Sequence, residues 1–344
     1  MYTPDRIFFE KEALNFPLGK KLLERFRREG KAVKYTSSHN RITALPGDTP
    51  AQKFVEAKRT LVVGVRRTLN FAGCKPSAHY QLPLATGCPG QCQYCYLYTT
   101  LGPRPYLRLY VNIEEILERA DRYISNRLPE ETVFEGSATS DPLSIEQYSG
   151  SLARTIEFFS RREKGFFRFA TKQTNVESLL KIKHNGKTKV RFSINTPKIV
   201  AEYERGVPAP GKRIRAALEM KSAGYPVGFL LAPVFIYKGW EKEYMDLLRE
   251  IASLWKTVPS PEKNNDLITF EIIAHRFTAR GKKNILSLFP GSSLPLEEKK
   301  RRFKYGQFGY GKYLYTPDIY KKLEELFIPA VSDLFPGGKV EYIV

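Results

Sequence analysis

Cysteine is scarce in this sequence: four residues, Cys74, Cys88, Cys92 and Cys95, in a chain of 344. A secreted disulfide scaffold uses more of them in a shorter chain, so that class is excluded. Long apolar runs are lacking as well. No stretch approaches the roughly 20 residues that cross a bilayer as a helix. The start, MYTPDRIFFEKEALNFPLGKK, mixes charges into its apolar positions and has no signal-peptide core. The expected compartment is the cytoplasm, and no membrane partner is expected. Internal repeats and low-complexity linkers are absent, and 42% hydrophobic with 27% charged residues is a globular balance rather than a disordered one.

Acidic residues are the third shortage. Against 36 Asp and Glu stand 56 Lys and Arg, a net charge of +20. An excess of this size calls for a polyanionic partner, and DNA or RNA is the simplest. A basic but non-binding surface is the plainer alternative. Aromatics interleaved with cations, as in RRFKYGQFGYGKY (301–313), favour nucleic acid, because bases stack on the rings while cations hold phosphate.

The apolar pattern predicts a helix over 13–30 and short strands at Lys31–Tyr35 and Leu61–Arg66. Strands are then expected at Tyr80–Thr86, Thr132–Gly136, Phe166–Thr171, Lys189–Asn195, Val227–Pro233 and Leu267–His275. Helices separate them at Ile113–Arg127, Ile145–Arg162, Val176–Ile182, Lys212–Ala223 and Glu241–Lys256. Asn112 with Glu115, and Ser144 with Gln147, have capping-box spacing. Six strands alternating with five helices make an α/β chain built on a parallel sheet, either doubly wound or an unclosed barrel. From about residue 281 the alternation stops. The basic run Lys299–Lys304 is followed by an aromatic segment able to form a hairpin, a helix over Pro317–Phe327 and an end strand, Val340–Val344.

Three of the four cysteines crowd into eight residues, C-P-G-Q-C-Q-Y-C (88–95), directly after the first strand of the alternation. Thiolates are the preferred ligands of iron–sulfur clusters. A four-thiolate cluster or a structural zinc site needs a fourth ligand. Cys74 can supply one from upstream, and His79 can do so for zinc. With three thiolates alone, a [4Fe–4S] cluster keeps one iron open, and S-adenosylmethionine can chelate that iron through its amino and carboxylate groups.

The CxxxCxxC spacing and its place after the first strand resemble the signature of the radical S-adenosylmethionine superfamily. Further strings narrow the likeness: CPGQCQYCYL (88–97), GSATSDP (136–142), ATKQTN (170–175), RFSIN (191–195), AHRFT (274–278) and the N-terminal FEKEALNFPLG (9–19) resemble the spore photoproduct lyase family. The resemblance implies a partial (β/α)6 TIM-like barrel over 79–280. An N-terminal extension (1–78) and a basic, aromatic C-terminal extension that contacts DNA (281–344) flank it. It implies a DNA-repair lyase of the spore core that returns the ultraviolet lesion 5-thyminyl-5,6-dihydrothymine to two thymines. A 5′-deoxyadenosyl radical takes hydrogen at C6, the methylene bridge breaks, and a hydrogen returns to the thymine radical. The implied cofactors are a [4Fe–4S] cluster on Cys88, Cys92 and Cys95 and S-adenosylmethionine. The implied partners are lesion-bearing double-stranded DNA and a reductase as electron donor, with the enzyme a monomer.

Carried over by position, Ser140 and Asp141 meet the methionyl end of the cofactor, with Lys172, Ser193 and Asn195 nearby. Each has an ordinary alternative as a capping, solvated or turn residue. Tyr94 and Tyr96 flank Cys95, where the family has a tyrosine pair that relays a hydrogen atom; packing around the cluster is the other reading. Arg301, Arg302, Lys304 and Tyr305 are the expected DNA contacts. His275 reads as a satisfied barrel histidine.

One residue departs from the family pattern. Ala138 stands where the family has the cysteine that returns hydrogen to the thymine radical, and an alanine side chain has no comparably weak bond to hydrogen. The string around it is intact, so a single engineered replacement explains the alanine better than divergence does, and clean repair is expected to suffer. Two rival functions remain at this point: a radical enzyme modifying an RNA base, and a nucleic-acid-binding protein whose cluster is only structural.

Overall fold

The protein is described from a computed structural model covering residues 2–42, 45–102, 104–259, 267–305, 309 and 311–344. Two compact units interleave along the chain. The first comprises Met1–Pro89, Leu101–Phe169 and Glu177–Thr188; the second comprises Gly90–Thr100, Ala170–Val176 and Lys189–Val344.

The first unit opens with strands β1 (Arg6–Glu10), β2 (Val33–Thr36) and β3 (Thr60–Gly64), with β1 parallel to both others. Every residue of β3, TLVVG, is buried, as happens in a parallel strand covered on both faces. The helix Pro17–Arg28 contributes Leu22, Leu23 and Phe26, spaced three and four apart, to one core with Ile7, Phe9, Leu61 and Val63. The strand β4 (Gly73–Cys74) lies antiparallel to β5 (Ala78–Leu82), and β6 (Ala85–Thr86) antiparallel to β7 (Leu107–Tyr110). The barrel strands here are β5, β8 (Thr132–Gly136) and β9 (Gly165–Thr171), all parallel.

The second unit carries β10 (Thr188–Ile194), β11 (Val227–Val234) and β12 (Thr269–Ala274), parallel and in that order, with β15 (Lys339–Ile343) beyond β12. Helices Pro210–Ser222 and Trp240–Thr257 form the crossovers. An antiparallel hairpin, β13 (Arg302–Tyr305) with β14 (Gly311–Leu314), follows. Along the chain β5, β8, β9, β10, β11 and β12 are the six strands of a partial (β/α)6 barrel.

Several local expectations need correction. The strand expected over Tyr80–Thr86 is two strands in different sheets, because Pro83 has no N–H to continue a ladder. The helix expected over Ile145–Arg162 breaks at Gly150, which sits at φ 60° and separates Glu146–Ser149 from Ser151–Phe159. Val176–Ile182 is a run of turns rather than a helix; seven residues are too few to nucleate one without a cap. Neither expected capping box forms. The Asn112 side chain instead bridges to Arg66, accepting from its N–H at 2.8 Å and donating to its carbonyl at 3.0 Å, while Ser144 lies inside a 3-10 turn. The box that does form is Thr49 with Gln52, heading the unexpected helix Pro50–Lys58. The helix expected at 13 begins at Pro17, and the one expected to stop at Phe327 runs to Leu334. Within the expected hairpin, residues 306–308 and 310 lie outside the described set.

Candidate active site and nucleic-acid interface

In the first unit, the chain leaves β8 into a tight turn that carries Ala138. Ser137 adopts φ 53°; its N–H donates to the Leu82 carbonyl at 2.8 Å, and its hydroxyl accepts from Ala85 N–H at 2.8 Å. The Ser140 N–H closes the turn on the Ser137 carbonyl at 2.8 Å. The Ser140 hydroxyl donates to the Gly87 carbonyl, and the Gly87 N–H returns a bond to Thr139 at 2.9 Å. Glycine is required at 87: φ is +83°, and a Cβ would lie 2.4 Å from the Tyr106 carbonyl oxygen. Ala138 is thus held on a turn clamped to the residue preceding Cys88. The Cys88 carbonyl accepts from Lys58 Nζ at 2.7 Å, which anchors the start of the cysteine loop. Asp141 is buried, and its carbonyl accepts from the Ser144 hydroxyl at 2.6 Å.

In the second unit, the rest of the loop is pinned by main-chain bonds from Gln91 to the Arg205 carbonyl (2.8 Å) and from Gln93 to the Tyr203 carbonyl (2.9 Å). Cys92 is buried and Cys95 half-buried. The Tyr98 hydroxyl donates to the Cys92 carbonyl at 2.8 Å. The two tyrosines flanking Cys95 differ sharply: Tyr96 is 63% exposed, whereas the Tyr94 hydroxyl donates to the carboxylate of Glu204. That carboxylate, fully buried, is a hub. Lys172 Nζ lies 3.3 Å from its Oε1, and Arg213 bonds its Oε2. Lys172 also donates to the Ser193 hydroxyl at 2.6 Å, and Arg213 to the Ser193 carbonyl at 3.1 Å. Burial alone would raise the Glu204 pKa, but Lys172 and Arg213 beside it, with hydrogen bonds from Tyr94 and Arg213, bring it down to about 2.

Tyr94, expected as one of a relay pair, and Lys172 and Ser193, expected near the cofactor, therefore gather around Glu204, a residue not among the expected site residues. Its signal was faint: Glu204 and Arg213 are nine apart, across a Pro-rich turn. Asn195 is placed differently. Its amide donates to the Pro233 carbonyl at 2.7 Å, and its Oδ1 accepts from Tyr244 at 2.7 Å and from Thr196 N–H at 3.0 Å. Those bonds tie β10 to β11 and the Trp240–Thr257 helix.

The hub makes a stability prediction. Glu204→Gln leaves the buried Arg213, and the half-buried Lys172 beside it, without their counter-charge, a loss of about 3–5 kcal/mol. A carboxyl whose folded pKa is depressed contributes stability above its ordinary value of 4.5 and loses it as pH falls through about 2. Urea unfolding of both forms should show the full gap near pH 7, narrowing between about pH 4.5 and 2.

The hairpin presents two faces with the period of two expected of strands. Phe303, Tyr305 and Tyr313 share one face, with Phe303 ring centroids 5.2 Å from both tyrosines; Arg302, Lys304 and Lys312 share the other. Tyr305 is 77% exposed and Phe303 48%. Gly311 is small because Phe303 lies across it; a Cβ there would come within 2.0 Å of the ring. Arg301, expected with the DNA contacts, points elsewhere: its guanidinium donates to the His275 carbonyl at 2.8 Å and to the Pro295 carbonyl at 3.1 Å, and stacks 3.7 Å from the Tyr315 centroid.

The family model described as spore photoproduct lyase matches residues 2–344. The chain belongs to the spore photoproduct lyase family. Curated spore photoproduct lyases of Clostridium acetobutylicum and Bacillus subtilis are each 44% identical, over 98% and 99% of this chain and 98% of each relative. Among solved structures, a double mutant of spore photoproduct lyase with bound AdoMet and dinucleoside spore photoproduct superposes with a TM-score of 0.96 at 44% identity, covering 100% of this chain and 99% of that one. A spore photoproduct lyase complexed with dinucleoside spore photoproduct gives the same TM-score at 43% identity, with the same coverage. No helix among the described residues is long and apolar enough to cross a membrane.

The residues fit the cofactors that the spore photoproduct lyase family implies. Three thiols in eight residues are the donor chemistry of an iron–sulfur cluster with an open iron. Among the described residues no three Cys, His, Asp or Glu side chains already converge as a metal site, so the fit is one of donor type and loop anchorage. Two buried polar atoms, Gln93 Oε1 and Gln173 Nε2, have no hydrogen-bond partner. They adjoin Cys92 and Lys172 in sequence, and a polar cofactor would satisfy such groups.

Proposed function

We propose that this protein repairs the spore photoproduct in double-stranded DNA as a radical S-adenosylmethionine lyase. The observation that carries the reading is full-length 43–44% identity to spore photoproduct lyases, two of them solved with the dinucleoside lesion bound. Cys88, Cys92 and Cys95 would hold a [4Fe–4S] cluster, and a reductase would supply its electron. Bound together, cluster and S-adenosylmethionine supply a carbon radical able to take hydrogen from the dihydrothymine ring. The chain's own residues orient and shield. Lys172, at the exit of β9, lies beside the Glu204 hub and would offer a counter-charge to the cofactor carboxylate, with Ser193 as a polar neighbour. Tyr96, exposed beside Cys95, is better placed to exchange a hydrogen atom with a substrate than Tyr94, whose O–H is engaged by Glu204.

The lesion enters from DNA, and chemistry on a stacked base requires extrusion, which is cheapest at a damaged step. The hairpin has the two elements this needs, exposed rings for stacking and cations for phosphate. Arg302 and Lys304 should each take one phosphate contact. Reversing both charges should weaken duplex binding and reduce the slope of log K against log[salt] by about 0.9 per lost contact; titrations between 50 and 200 mM salt test it. An unchanged slope would make this face merely solvated.

The last step turns on position 138. Ala138 has no thiol to return hydrogen to the thymine radical, so repair in this chain either ends partly off pathway or draws on another donor. Cys74 is the one thiol outside the cluster motif. It lies on β4, which pairs with β5; β5 pairs with β8, whose exit carries Ala138. Anaerobic incubation with the dinucleoside lesion, S-adenosylmethionine and reductant tests the reading as a whole. Repaired thymines with 5′-deoxyadenosine are expected, whereas a purely structural cluster gives neither, and an RNA-modifying enzyme leaves the lesion untouched.

A further inference from the structure

We infer that Arg301 is a positioning residue for lesion discrimination: it latches the β13–β14 hairpin to the barrel wall and makes no phosphate contact. The inference rests on the DNA-repair reading above. Arg301 immediately precedes β13, so whatever fixes its side chain fixes where the exposed pair Phe303 and Tyr305 begins. Its fork is committed inward. One nitrogen, Nη1, bonds the His275 carbonyl at 2.8 Å; the other, Nη2, lies 3.1 Å from both His275 Nδ1 and the Pro295 carbonyl. The plane stacks on Tyr315 at 3.7 Å, and Phe277 lies 5.7 Å away.

The groups it grips are themselves held in place by packing and hydrogen bonds. His275 is 1% exposed, follows β12 and stacks on Phe235 at 4.5 Å. Burial first, and the Arg301 charge second, bring the His275 pKa down to about 3. The ring is therefore neutral, and Nδ1 can accept from the guanidinium. Tyr315 closes the other side by accepting from Ile236 N–H at 3.1 Å. Phe277 exchanges two main-chain bonds with Tyr313 of β14, at 3.2 and 2.8 Å, so the second strand is fastened to the same segment. Both hairpin strands thus leave one anchored point within the second unit, and Arg301 closes it.

A latch and a phosphate contact predict different binding behaviour. Losing a phosphate contact weakens all duplexes alike and lowers the salt slope by about 0.9. Loosening the latch leaves the slope intact but lets the aromatic pair wander, so the preference for lesion over undamaged duplex falls. The experiment measures duplex affinity with and without a single spore photoproduct, across salt, for the full chain, Arg301→Gln, Arg301→Lys and Arg302→Gln. Arg301→Gln is expected to lower the lesion-to-undamaged affinity ratio roughly tenfold, by loss of a stacked, charge-assisted fork, with an unchanged slope. Arg301→Lys should fare little better, since an ammonium cannot fill the fork. Arg302→Gln should show the reverse pattern, a lower slope and an unchanged ratio.

A slope that falls in Arg301→Gln, or a ratio fully restored by lysine, overturns the latch. Absence of salt-dependent binding in the unmodified chain instead overturns the DNA reading itself. Folding is checked by thermal midpoint, and by the ¹H–¹⁵N signals of His275. That ring should titrate at higher pH once the neighbouring cation is gone, a change that loss of DNA affinity alone does not produce.

Discussion

Reconstituted without oxygen, the Cys92→Ala protein is expected to hold little iron and to release no 5′-deoxyadenosine above background. Cys92 is the buried member of the motif, and its carbonyl is fixed by Tyr98. Two remaining thiolates leave a cluster short of the three ligands that keep it bound with one iron open. Iron content and the EPR spectrum of the reduced protein report the loss independently of turnover. In the unmodified chain the EPR signal should change on adding S-adenosylmethionine. Cofactor cleavage by Cys92→Ala at the unmodified rate would refute the ligand assignment. Cys74→Ala is the control: it should keep its iron, and if it does not, Cys74 is a ligand.

The second large effect is at Ala138. Ala138→Cys is expected to raise the yield of repaired thymines several-fold and to suppress adducts of the thymine radical with reductant-derived species. A thiol S–H is weaker than the methyl C–H formed on thymine, so hydrogen return runs downhill once a thiol stands there. The turn from Ser137 to Ser140 is clamped by backbone bonds that do not involve the residue 138 side chain, so a cysteine should enter without disturbing it. The measurement is anaerobic turnover of the dinucleoside lesion, with products resolved by mass spectrometry. Equal yields and identical adducts in both forms would exclude position 138. A chain that already repairs cleanly would point to Cys74, and then Cys74→Ser should bring the adducts back.

Much of this architecture was legible in the sequence. The run Thr132–Gly136 is a strand with the expected bounds, and the other barrel strands from β9 to β12 fall within a few residues of theirs, because buried parallel strands read as short apolar runs. The break at Pro83 was missed because hydrophobicity continues across it while hydrogen bonding cannot. The strand β7 was missed because it is only four residues long, and the helices Pro197–Tyr203 and Ala279–Leu288 because each buries only two or three residues, too sparse an apolar stripe to stand out. At the site, the three crowded cysteines stand out in the sequence by residue type and spacing, and the proposed cluster rests on them. The Glu204 hub does not stand out, because a buried ion pair leaves no periodic trace and only the fold brings Tyr94, Lys172 and Arg213 to one carboxylate. Arg301 shows the same limit from the other side: in a basic run it looks like its neighbours, and only its fork geometry separates the latch from the exposed cations beside it.

The most direct test of the account is one anaerobic reaction of the unmodified chain with dinucleoside spore photoproduct, S-adenosylmethionine and a strong reductant, followed for both products at once. 5′-Deoxyadenosine should appear and the lesion should be consumed, with its methylene bridge broken. An iron-loaded protein that leaves both the cofactor and the lesion intact would contradict it.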